Sequence, residues 1–287
     1  MLRDKLPWIG AGIIAFFIFC AAAAPWMAPC DPYAINLEER LAPPSAAHLL
    51  GLDANGGDIL SRLLYGGRIS FTVAVLVVFL SGGLGVGVGL LSGYYGGVPD
   101  ALLMRVVDVL LAFPGLLLAI ALVAVLGPNV ANVVLALTVM GWISFARLAR
   151  GQTLSIKQRE YVLAAKISGQ SDLRVMRVHI LPNIMSPIIV QGVFSVAGVI
   201  VSEASLGFLG LGAPPGSPSW GVMLSEGKQV LLEAPHVSFF PGLAIMLVVL
   251  AFNFLGDGLR DRLDSDGRSR GRALVEDAEI EAESSHG

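Results

Sequence analysis

Charge is what this chain of 287 residues has least of. Only 14% of it is Asp, Glu, Lys or Arg, against about 25% in soluble globular domains. With 55% hydrophobic residues and a mean hydropathy of +0.73, the chain is too apolar for a soluble domain, and no nucleic-acid partner is expected. Cysteine is nearly absent as well. Cys20 and Cys30 lie on a mostly helical stretch, which at 1.5 Å per residue puts them about 15 Å apart, beyond disulfide reach. No Ser/His pairing, HExxH motif or twin-aspartate arrangement is present, which leaves an intramembrane hydrolase without its chemistry. A stretch from Gly221 to Lys228 superficially suggests a phosphate-binding loop. It is one residue too long between Gly221 and Gly227, however, and Gln229 replaces the hydroxyl side chain that would hold magnesium. No catalytic, cofactor-binding or metal-ligating residue is therefore assigned.

Long apolar runs are what the chain does have. A bilayer core of ~30 Å needs about 20 residues of helix. Six runs qualify: Pro7 to Met27, Ser70 to Leu91, Ala101 to Leu126, Val130 to Leu148, Ile184 to Leu209 and Phe239 to Leu255. The expected fold class is all-α, a polytopic membrane protein of six transmembrane helices. Arg3 and Lys5 ahead of the first run, with AAAAPWMAP after it, imitate a secretory signal. The run exceeds the usual ~7–15 apolar residues of a signal core, so it is read as an uncleaved first span. With both termini inside, all of the 19 basic residues except Arg40, Arg62, Arg68 and Lys228 fall on the cytoplasmic side, as the positive-inside rule requires.

The organisation follows from these spans. Residues 1–67 hold the first helix and a long external loop. In that loop Ile59, Leu60, Leu63 and Leu64 recur at helical spacing opposite Asp58, Ser61 and Arg62, which predicts an amphipathic helix lying at the outer surface. Residues 68–258 form the membrane domain, with a cytoplasmic loop over about 151–182. Residues 259–287 turn from basic to acidic with few apolar residues and are expected to be disordered. The glycines crowded between Gly82 and Gly93 suit either a sliding face or, the preferred reading, close helix packing of the small-xxx-small kind.

The most informative segment is Arg159 to Asn183, REYVLAAKISGQSDLRVMRVHILPN, a polar insert between two spans. Tyr161, Ala164, Ala165 and Ser168 share one small-residue face, and Gly169 can adopt the left-handed backbone that ends a helix. Ser171 with Asp172 then reads as a new N-terminus, and the second helix is expected to stop before Pro182. Two short helices meeting at a bend make a knob suited to docking. His179 has no second ligand near it in sequence, so a packing or hydrogen-bonding role is expected of it.

The pattern Ala164, Ala165, Gly169, Leu181, Pro182 resembles the "EAA" loop of the membrane subunits of ATP-binding-cassette importers. Leu163 stands where that pattern has an acidic residue, and His179 where it has isoleucine. These departures, with the segments Leu50 to Ser70, Ser202 to Gly221 and Phe252 to Asp264, are similar to the second permease subunit of the dipeptide and oligopeptide branch. The resemblance implies a type I importer fold and a chain that catalyses no covalent change. It also implies a partner permease, two cytoplasmic ATPases that bind the ATP and Mg, an extracytoplasmic solute-binding protein, and a lipid setting in the inner membrane. Glu160, Tyr161, Ala164, Ala165, Gly169, Leu181 and Pro182 would be the ATPase-coupling residues. The letters LSGG at Leu80 to Gly83 copy part of an ATPase signature, but they lie inside an apolar run where no nucleotide could sit.

Ionisable residues within spans are costly and hence functional candidates. Asp108 suits an ion pair with Arg105 or a place on the translocation path. Glu203, beside Ser202 and Ser205, is assigned to the path or outer gate, the alternative being a buried, hydrogen-bonded glutamate. The reading from another class is an ion- or proton-coupled secondary transporter working alone. It is disfavoured by the scarcity of intramembrane carboxylates and by the lack of a convincing inverted repeat.

Overall fold

Asp58 starts the main framework helix. Its carboxylate accepts the Ser61 amide at 2.8 Å, an N-cap that satisfies a donor otherwise left bare, and α3 then runs unbroken over Ile59–Tyr95. In this computed structural model, which describes residues 5–284 and side chains through residue 263, the elements before it are α1 (Leu6–Ala22) and α2 (Ala24–Met27). After it come α4 (Gly97–Leu111), α5 (Gly115–Leu126), α6 (Val130–Ile156), α7 (Glu160–Ile167), α8 (Asp172–Arg174), a π-helical turn (Val175–Ile180), α9 (Leu181–Phe208), α10 (Trp220–Gln229) and α11 (His236–Ser284). No strand occurs among the described residues; one isolated bridge pairs Leu52 with Asp58.

The all-α membrane architecture expected from the sequence is present. Four helices are long and apolar enough to cross a bilayer, a bent pair of helices can make a fifth span, and α1 is a shorter apolar helix. The bend corrects the third expected run: Ala101 to Leu126 is not one rod but α4 and α5 meeting at 85°. Pro114 is the reason, since it disfavours the α conformation at Phe113. The amphipathic surface helix expected near residues 57–70 is likewise corrected. It is the first part of α3, and its polar face points inward, with Asp58, Ser61 and Arg62 all buried. At the other end of the chain, where an irregular tail is expected, α11 continues helical to Ser284. No proline follows Pro241 in that helix, and the segment is rich in Arg, Ala and Glu, all good helix formers. The side chains of that tail lie outside the described residues.

The crowded glycines resolve into packing, as preferred. Gly85, Gly89 and Gly93 sit at four-residue intervals on one face of α3, directly against α6. A Cβ at Gly85 would lie 2.6 Å from the Phe145 Cβ, and one at Gly93 would lie 2.8 Å from the Thr153 Cβ. Gly83 and Gly87, off that face, have open space around them. A second core gathers α1, α3, α9, α10 and α11 around Trp220, whose indole donates to the Leu63 carbonyl at 2.9 Å and meets Phe17 and Phe71 edge-on.

Candidate functional site

The knob forms at one end of the bundle, and its bend is built as a helix C-cap. Gly169 has φ +77°. Its amide donates to the Lys166 carbonyl at 3.0 Å, and the Gln170 amide reaches back to the Ala165 carbonyl at 3.2 Å. That pair of bonds is the Schellman pattern, which a left-handed glycine completes without steric cost. No heavy atom lies within 4 Å of a Cβ built on Gly169, so glycine is required there by its backbone alone. Ser171 takes the extended backbone of an N-cap, but its hydroxyl makes no cap bond.

The second helix does not stop before Pro182. It continues from Asp172 to Phe208 as one span, because the chain widens into the π turn just ahead of the proline. Pro182 then falls in the first turn of α9, where a missing amide is tolerated. The second half of the knob and the span are thus one rod, about 55 Å long at 1.5 Å per residue.

Packing sorts the expected coupling residues into two groups. Ala165, with Val162, is buried in a cluster containing Tyr94, Phe145, Ala149, Val175, Met176, Ile180 and Ile184. Glu160, Tyr161, Ala164, Gly169 and Pro182 are exposed, and Leu181 is half-buried. The small-residue face is therefore split: Ala165 seats the knob, while the outer surface is Tyr161, Ala164 and three bulkier apolar side chains. Ile167 is 88% exposed and Leu173 71%; with Leu163 they give the tip an apolar surface of the kind that marks an interaction site. His179 packs obliquely against Tyr161 and meets the Gln170 carboxamide at 3.1 Å, the structural role expected of it.

Tyr94, at the end of α3, holds the knob from two sides. Its hydroxyl donates to Asp172 at 2.5 Å, and the Lys166 ammonium stands 4.3 Å from its ring centroid, a cation–π contact. Nearby, Arg150 grips Asp100 in a fork of 2.5 and 2.6 Å bonds, and Lys157 donates to the Gly93 carbonyl at 2.7 Å. The ends of α3, α4 and α6 and the knob form one tied assembly. Sequence reasoning passed over Tyr94, Asp100 and Arg150. The available signal was their place at span ends, where aromatic and charged anchors gather.

The two intramembrane carboxylates are not brought together. Asp108 is exposed on α4, within electrostatic reach of Arg150; no ion pair between it and Arg105 occurs among the described residues. Glu203 is 2% exposed and accepts hydrogen bonds from Ser70 at 2.8 Å and Ser219 at 2.9 Å. At the same end of the bundle as Glu203, Arg62 joins Asp53, Glu226 (2.9 Å) and the Ser217 carbonyl (3.1 Å). That junction was not foreseen from sequence, since Glu226 lies 164 residues from Arg62. Gly221, the start of the rejected phosphate loop, lies in α10, where a Cβ would meet the Ala204 backbone.

Comparison with known proteins places this architecture. Residues 85–268 match the family model described as binding-protein-dependent transport system inner membrane component, and residues 1–44 match the N-terminal TM domain of oligopeptide transport permease C. The dipeptide transport system permease protein DppC of Alkalihalophilus pseudofirmus is 43% identical over 93% of this chain and 88% of its own length. The glutathione transport system permease protein GsiD of Escherichia coli is 46% identical over 91% of this chain and 87% of its own. Among solved structures, an inward-facing conformation of the MetNI methionine ABC transporter superposes with a TM-score of 0.59. It covers 70% of this chain and 96% of that one at 16% identity, a likeness of fold.

Proposed function

Because the chain belongs to the binding-protein-dependent transport system inner membrane components, in the branch of the dipeptide and oligopeptide permeases, we propose that it forms half of the pathway of an ATP-driven importer for short peptides or peptide-like solutes. It is a transport permease and not an enzyme. The partners in this reading are a second permease of the same kind, two ATPases at the knob and a solute-binding protein at the opposite face. In this reading the ATPases bind the ATP and Mg that power transport, and this chain binds no nucleotide.

The observation that carries the reading is the knob itself: an exposed apolar tip, fixed by Tyr94, and continuous with a span through the π turn. Force on Leu173 would be delivered to α9 along that rod, and force on Tyr161 and Ile167, on α7, would reach it across the Gly169 cap and through the buried Val162 and Ala165 contacts. Glu203, near the far end of the same rod, ties it to α3 through Ser70 and to the loop before α10 through Ser219. In this proposal Glu203 is an anchor about which the rod rocks, and Asp108, on an open face, is the carboxylate left to face the path.

The experiment is on Gly169. Valine there places a β-branched residue at φ +77°, which costs about 1–2 kcal/mol or tilts the tip out of register. Gly169→Val is expected to insert normally and to lose most ATP-driven uptake in vesicles. Normal uptake by that variant would refute the coupling role. Orientation is tested separately: a reporter fused after Lys157 is expected to read cytoplasmic and one after Pro215 external, and either opposite result inverts the proposed arrangement.

A further inference from the structure

At the end of the bundle opposite the knob, three residues of the long loop and the start of α3 converge although no spacing in the sequence announces them. The Cys30 Sγ, a His48 ring nitrogen and an Asp58 carboxylate oxygen all lie within 4.8 Å of one another. We propose that Cys30, His48 and Asp58 form a zinc site that clasps this loop to the N-terminus of α3.

The donor set selects the metal. A thiolate, an imidazole and one carboxylate oxygen suit Zn²⁺, whereas Ca²⁺ and Mg²⁺ take all-oxygen shells. The geometry is close to what zinc demands. Bonds of about 2.0–2.3 Å at tetrahedral angles separate neighbouring ligand atoms by ~3.3–3.6 Å, and His48 Nδ1 already stands 3.0 Å from Asp58 Oδ1. A few tenths of an ångström of opening there, with Cys30 swinging in, completes three corners. The fourth would be left to water, which the 23% exposure of the His48 side chain lets in.

The surroundings are ordered as second shells around metals are. Asp58 Oδ2 is occupied by the Ser61 amide and hydroxyl, both at 2.8 Å, which leaves Oδ1 turned to His48. The same Ser61 oxygen receives the Cys30 amide at 3.1 Å, so one serine positions two of the three ligands. His48 is held by a local turn in which its amide donates to Ser45 Oγ at 3.1 Å and its carbonyl accepts from the Ser45 and Gly51 amides at 2.8 and 3.0 Å. Without metal, His48 Nδ1 and Asp58 Oδ1 share a hydrogen bond; zinc binding would release to solvent the proton held between them and the Cys30 thiol proton, freeing the nitrogen lone pair and the thiolate to bind.

The test uses the full-length chain purified with its partner subunits, treated with chelator and titrated with Zn²⁺ alone. Bound zinc is expected near one per permease chain. Alkylation of Cys30, followed by peptide mass spectrometry that separates it from Cys20, is expected to slow at least tenfold. Substituted Co²⁺ is expected to give a thiolate charge-transfer band that is absent in Cys30→Ser. Ser61→Ala keeps every ligand but removes the shared hydroxyl and is expected to weaken zinc binding by about 10-fold or more, as second-shell losses do. Zinc content equal in wild type and Cys30→Ser, with Cys30 alkylation unchanged by zinc and no cobalt band, would overturn the site and leave His48 and Asp58 as a simple hydrogen-bonded pair.

Discussion

Gly89→Val is expected to give a chain that is synthesised but does not accumulate in folded form. A Cβ at residue 89 would lie 2.8 Å from the Ala149 Cβ and 2.9 Å from the Arg150 amide nitrogen, and would also strike the Ala146 carbonyl. Two of those three atoms are backbone, so no rotamer change relieves the clash and α3 must move off α6 along the Gly85, Gly89, Gly93 face. Overpacking a core usually costs about 1–3 kcal/mol, and a clash with helix backbone belongs at the top of that range or above it. Helix pairs in lipid depend on such close approach because lipid tails provide no hydrophobic drive between them. Separation would also disturb Arg150 and Asp100, and through Tyr94 the knob. The control is Gly87→Val on the same helix, where a Cβ has nothing within 4 Å. Size-exclusion profiles and thermal unfolding in detergent are expected to show a marked loss for residue 89 and little change for residue 87. Equal behaviour of the two would mean that the glycine face is not the α3–α6 interface.

How much of this was legible in the sequence depended on the range of the interaction. Composition and run length carried the all-α membrane class, because burying that much apolar surface in a bilayer is a property of the chain as a whole. Gly169 was legible because a Schellman cap is closed by residues within one turn of each other. The π turn was not, since a proline after a helical segment ordinarily marks a stop, and only continuity with α9 shows that the backbone widens instead. The inward polar face at Asp58, Ser61 and Arg62 was misread for a related reason. Helical spacing reveals that a helix has two faces, but not what meets each: here Ile59 and Leu64 are buried as well as Asp58, Ser61 and Arg62, so protein covers both faces. Glu203 shows the same limit. Its cost in a span made it a candidate for the path, whereas Ser70 and Ser219, the groups that satisfy it, are 133 and 16 residues away.

Arg62 shows what the buried polar face contributes to stability. Its side chain is 3% exposed and its guanidinium faces Asp53, at 2%, and Glu226, at 19%, so one buried cation holds the loop before α3, the loop at Ser217 and helix α10 together. Arg62→Met preserves much of the volume but leaves two carboxylates without their counter-charge. Removing one partner of a buried ion pair costs about 3–5 kcal/mol. The single variant is therefore expected to unfold at clearly lower temperature and to become protease-sensitive near residues 214–217. Replacing the whole charged set with neutral groups should behave differently, because the desolvation cost of a buried pair disappears together with its attraction. Asn at residue 53 can still accept the amides of Asn55 and Gly57, which now bond Asp53 Oδ1 at 2.8 and 2.9 Å. The triple variant Arg62→Met, Asp53→Asn, Glu226→Gln is accordingly expected to recover much of the stability lost by Arg62→Met, a non-additivity that marks direct coupling. Wild-type stability in the single variant, or no recovery in the triple, would show that the charges are not what holds these loops, and that packing around Trp220 fixes this end of the molecule instead.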